Sequence, residues 1–166
     1  MAATDTRDGA GCVRVVAVLE NRAHEVGVAA LDLGAPALFL SQSAETACFT
    51  STLTLLQQHA PDIVLTCSST GTGSRLTQLL SKLFGSTARL VALPRSSFDD
   101  TRGRSTVRLV ATDKDALARA GKSLYLAFAA ADACFRHIAE DLQLLVRLLA
   151  RGVLRVLTPL RGAGPA

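Results

Sequence analysis

Apolar positions along this chain fall into two periods, and the change from one to the other divides the sequence. VRVVAVLE, Val13 to Glu20, is a β-branched run; a turn at Asn21 to His24 leads to EVGVAALDL, Glu25 to Leu33, and Gly34-Ala35-Pro36 turns again before ALFLSQ, Ala37 to Gln42. Strands joined by connections this short predict an antiparallel meander. From Ala47 to His59 the apolar residues Phe49, Leu53, Leu55 and Leu56 take a helical spacing, and Pro61 ends that helix before a buried type of strand, Asp62 to Cys67. The loop Ser68 to Ser74 opens a second helix with Leu76, Leu79, Leu80 and Leu83 on one face and Gly85 as its stop, followed by a short apolar strand, Ala88 to Leu93. Pro94 to Arg104 reads as a loop too polar for the core, Val107 to Ala111 fits either period, and the Ala-rich run from Asp115 is predicted largely helical.

The resulting order, β-β-β-α-β-α-β-α, puts consecutive strands first and alternating elements after them. It predicts a mixed α/β sheet covered by helices, the order of the ribonuclease-H-like fold. Residues 1–11 read as a disordered lead-in, 12–140 as one domain, and 141–166 as a basic apolar tail in which Arg147, Arg151 and Arg155 recur every fourth residue. That spacing suits a basic amphipathic helix up to Gly152, either binding an acidic partner or membrane surface or lacking its packing partner.

Composition narrows the class. With 166 residues, 49% hydrophobic and 19% charged, the chain has the apolar content to bury a core and offset its conformational entropy. The net charge of +4 and pI near 9.2 permit contact with phosphates or acidic proteins without establishing either. Four scattered cysteines without a CxxC pair, and a polar N-terminus, point to a reducing compartment. No stretch reaches the roughly 18 uninterrupted apolar residues that a membrane span needs, so none is expected.

Candidate chemistry is sparse. A ribonuclease-H-like nuclease would require carboxylates converging on one end of the sheet to hold two metal ions. Here Glu20 falls in a turn, Asp32 lies late in the second strand and Asp62 opens the fourth. Their positions favour solvated loop acids, and the chain is expected to be no enzyme, with no metal and no cofactor of its own. Gly121-Lys122-Ser123 completes only the end of a Walker loop, and Ser68 to Ser74 lacks the Lys-Ser/Thr pair that would meet phosphates. Cys134 and His137 would give half a zinc site at most. The small residues Ala127 to Ala133 let a neighbouring backbone approach closely, with Leu124, Phe128, Ala131 and Phe135 as a stripe at helical spacing, read first as core and second as an interface.

Four ordered stretches carry a resemblance: Glu20 to Gly27, Leu40 to Gln42 followed by Glu45, Phe98 to Gly103, and Tyr125 to Ala131. Together they are similar to the connector domain, domain II, of the MutS family, nearest its meiotic homologue 4 branch, over Cys12 to about Glu140. The resemblance implies a connector that couples DNA-embracing parts to an ATPase in DNA mismatch repair and meiotic recombination. It also implies a nuclear location, and a MutS homologue 5 type partner and branched DNA as partners, with direct DNA contact weak or indirect. Full-length relatives are DNA-dependent ATPases; ATP and magnesium are expected only of their ATPase part and mismatched-DNA binding only of an amino-terminal mismatch-reading domain, and this sequence is expected to carry neither of these, nor the lever and clamp helices. The alternatives are a divergent nuclease of the same fold and a small adaptor binding through the basic tail. In the loop, Phe98 is expected to cover the sheet edge, while Arg95, Arg102 and Arg104 are exposed cations; all four are candidates for an interface or DNA contact.

Overall fold

A computed structural model describes residues 13–34, 36–68, 74–112, 115, 117–118 and 122–140, and the course of the chain at 155–157. Strands β1 (Arg14–Glu20), β2 (Glu25–Asp32) and β3 (Ala37–Ala44) form the expected antiparallel meander, with Arg14 opposite Asp32 and Val26 opposite Ser43. Helix α1 (Thr50–His59) returns the chain to β4 (Ile63–Cys67), which lies parallel to β1. Helix α2 (Arg75–Phe84), capped by Ser74 accepting from the Thr77 amide, leads to β5 (Arg89–Leu93), parallel to β4. A short turn of 3-10 helix (Arg95–Ser97) precedes helix α3 (Asp100–Val110), and another (Lys122–Leu124) precedes helix α4 (Tyr125–Glu140). The sheet order is β5-β4-β1-β2-β3-β6, and β6 (Arg155–Leu157) lies parallel to β3. Part of the basic tail therefore adds to the sheet edge; the amphipathic helix expected before it lies outside the described residues.

Period-2 alternation sorts the strands onto two cores. Val15, Ala17, Leu19, Ala29, Leu31, Leu38 and Leu40 face α3 and α4, whereas Val16, Val18, Val26, Val28 and Ala30 face α1 and α2. Helix α4 lies flat on the first face, and ten of its sixteen residues are buried, five of them alanines that keep it close to the strands. A β-carbon at Gly27 would overlap the backbone of Leu126 and Ala127, so glycine in β2 is what lets the start of this helix sit down.

The loop expected from Pro94 to Arg104 is corrected: it runs into α3 at Asp100. Its polar composition concealed a capped helix. The Asp99 side chain accepts from the Arg102 amide, which satisfies an orphan donor of the first turn. Gly103, which reads as a turn residue, is a buried helix position where α3 crosses α4, and a β-carbon there would overlap the Phe128 carbonyl oxygen.

Candidate functional site

The residues singled out in the sequence converge on helix α4. At its start, Asn21 in the β1–β2 turn donates through Nδ2 to the Tyr125 hydroxyl at 2.7 Å and to Glu25 Oε2 at 2.8 Å. Gln42 of β3 accepts the Leu126 amide on Oε1 at 2.9 Å, so a neighbouring strand caps α4. Glu45 does the same for α1, accepting from the Thr52 amide and hydroxyl at 2.8 and 2.9 Å. The four stretches that carry the resemblance are thus the residues that seat α4 and α1 on the sheet.

Further along α4, Asp132 is a nearly buried carboxylate that gathers three donors onto one oxygen. Its Oδ2 accepts the Asp99 amide at 3.1 Å and meets Arg102 Nη2 at 3.3 Å and Arg136 Nε at 3.5 Å. Arg102 also donates to the Ser96 carbonyl at 2.9 Å, and its Nε lies 3.9 Å from Asp99. Burial raises the Asp132 carboxyl above the ordinary carboxylate range, against the pull of Arg102. Asp99, fixed by the Arg102 amide, is held below that range. Between α3 and α4 an open groove of about 400 Å³ runs beside this cluster, lined by Thr101, Arg102, Ser105, Thr106, Asp132, Phe135, Arg136 and Ala139.

The candidate loop residues divide. Phe98 is buried in the core and is not available to a partner, so its place among the contact candidates is corrected in favour of the structural role. Arg95 is exposed and donates back to the Phe98 carbonyl at 2.6 Å. Arg102 is half exposed at the groove. Arg104 is not the freely exposed cation expected; its guanidinium lies 4.3 Å from the centre of the Phe128 ring. Sequence reasoning missed Asp132 and Arg136. Their signal was an acid four residues before an arginine, inside a run of alanines too apolar for an idle charge.

The acids considered for metal chemistry lie apart. Asp32 and Asp62 both sit at the Arg14 end of the sheet, Asp32 Oδ2 3.5 Å from the Arg14 Nε and Asp62 accepting the Arg14 amide at 2.9 Å. Glu20 closes β1 at the other end, opposite Val26. Among the described residues no group of three or more His, Cys, Asp or Glu side chains is placed to hold a metal ion. Cys134 turns into the sheet, its Sγ 3.6 Å from the Ala29 carbonyl, and burial pushes its thiol up to about 12, which takes it out of the half-site imagined with His137. Of the two phosphate-loop near misses, Gly71, Thr72, Gly73 and Gly121 lie outside the described residues. Among the described residues no helix is long and apolar enough to cross a membrane.

Comparison with known proteins gives a partial identity. No family model matches the sequence. The chain is 33% identical over 134 residues to the DNA mismatch repair protein MSH4 of Arabidopsis thaliana, covering 76% of this chain and 17% of that protein. This supports a relationship to the MutS homologues, and the chain spans only that small share of the curated relative's length. Among solved structures it is similar to the Fowlpox virus resolvase in complex with substrate Holliday junction DNA, with a TM-score of 0.55, 11% identity, and coverage of 80% of this chain and 99% of that one. A weaker likeness, TM-score 0.44 at 11% identity over 85% and 98% of the two chains, is to Thermus thermophilus RuvC with a Holliday junction substrate. The mixed sheet and the first likeness give the ribonuclease-H-like fold that the element order predicted. They also correct one expectation: the fold is one on which a resolvase is built, so the sequence-based assignment of this chain as no enzyme does not stand.

Proposed function

We propose that this chain is a connector domain of a MutS-homologue-4-like protein, coupling a DNA-embracing part to an ATPase part in meiotic recombination. The observation that carries this reading is the 33% identity to a MutS homologue over 134 residues. Those words have a mechanical sense in the fold. Asn21, Gln42, Gly27 and Gly103 lock α4 onto the sheet and α3 onto α4, so a load applied to one helix passes to the strands without a soft joint. In this reading the partners are a MutS homologue 5 type protein and branched DNA, the location is the nucleus, and ATP with magnesium belongs to the ATPase part.

The test is co-purification of the full 166-residue chain with a MutS homologue 5 type protein. Stoichiometric recovery supports the proposal, and recovery no better than with an unrelated protein sinks it. Incubating the same preparation with four-way junction DNA and a divalent metal ion tests the nuclease reading: metal-dependent cleavage would put a nuclease in the connector's place.

A further inference from the structure

Two guanidiniums held side by side by a buried carboxylate are a costly arrangement for stability alone, because the acid gives up its hydration and the arginines remain half in water. Asp132 nevertheless fixes both Arg102 and Arg136 through the same oxygen, at 3.3 and 3.5 Å. Both guanidiniums stand at the groove between α3 and α4, where the hydroxyl-bearing residues Thr101, Ser105 and Thr106 line the α3 side. Among the described residues Asp132 is the one carboxylate in that lining, beside two arginines, so the described lining carries a net positive charge; Asp99 reaches Arg102 at 3.9 Å and does not line the groove.

We propose that this groove binds a phosphate of a nucleic-acid backbone. Planar guanidiniums suit phosphate oxygens bidentately, and hydroxyl donors complete the shell of a tetrahedral anion better than that of a planar carboxylate. Asp132 acts as a positioning residue: it keeps the two guanidiniums from splaying into solvent and lowers the entropy cost of holding them for a ligand. Arg108, exposed on α3, lies six residues beyond Arg102, about 9 Å along the helix axis and roughly a third of a turn around it, outside the groove lining. This goes beyond the coupling role and stands on the geometry of the groove.

The experiment measures binding of the full chain to a labelled four-way junction and to duplex DNA by fluorescence anisotropy across a salt series. Arg136→Gln is expected to weaken binding about tenfold and to make the slope of log affinity against log salt less negative by about 0.9, one phosphate contact. Arg102→Gln is expected to act in the same direction, and it reads the same groove should Arg136→Gln fail to fold. Arg89→Gln, on the edge strand β5, serves as the control and leaves both quantities unchanged. Inorganic phosphate at matched ionic strength is expected to compete only weakly. The proposal is overturned if the unaltered chain shows no salt-dependent binding, if Arg89→Gln weakens binding as much as Arg136→Gln, or if polyglutamate displaces the DNA equally well. Any of these outcomes leaves assembly with a MutS homologue 5 type protein untouched, so the two readings fail separately.

Discussion

A β-carbon at Gly103 would overlap the carbonyl oxygen of Phe128, so helices α3 and α4 cross with backbone against backbone. In an exposed helix, Gly→Ala gains about 1 kcal/mol. Here the clash outweighs that gain, because α4 is pinned between α3 and the sheet and has nowhere to retreat. Gly103→Ala is expected to destabilise the chain by about 1–3 kcal/mol, the range for overpacked cores. Urea unfolding measures it, and a variant as stable as the parent would show that the crossing is loose.

Phe98 sits just ahead of that crossing and closes the core above the sheet, 4% exposed, among residues that include Val107 and Phe128. Its truncation leaves a cavity that the flanking helices cannot fill, since Gly103 already holds them at contact. Phe98→Ala should therefore cost roughly 3–5 kcal/mol. A melting temperature that barely moves, with assembly weakened instead, would return Phe98 to the role of a contact residue.

The strands β1 to β5 and helices α1 and α2 were legible because each buries a face that repeats at its own period. Helix α3 was not, since only Gly103 and Val107 of its eleven residues are buried and the remainder present no stripe. What makes it a helix is the Asp99 cap and the surface of α4, neither of which a window of sequence contains. The site shows the same limit. Arg102 reads as an exposed cation, but the carboxylate that orients it stands thirty residues later, at a position that only folding brings to 3.3 Å. The acid positions in the sequence argued against catalysis, and it took the fold, shared with a resolvase, to remove that conclusion.

His59 closes α1 with its ring 4.8 Å from that of Phe39, while its carbonyl accepts from Arg14 at 3.4 Å. Burial, and then the Arg14 charge, hold the imidazole below its ordinary value of 6.5, with Asp32 pulling weakly the other way. The sign follows from proton counting. As the pH falls through 6.5, the unfolded chain takes up a proton at this histidine while the folded chain still refuses it. The contribution of His59 is complete above 6.5 and is lost as the pH falls toward the lower, folded value. His59→Gln removes the proton and not the position, so it should flatten the acid side of the stability profile between about pH 7 and pH 5. Its absolute stability also shifts, through the lost contact with Phe39, which is why the slope is the quantity to read. Urea unfolding at a series of pH values gives that slope, and the imidazole proton shifts give the titration directly. An imidazole that titrates above 6.5 would mean that Asp32 outweighs burial and Arg14 at this end of the sheet, and a variant whose slope matches the parent's would mean that folding leaves this imidazole's proton affinity unchanged.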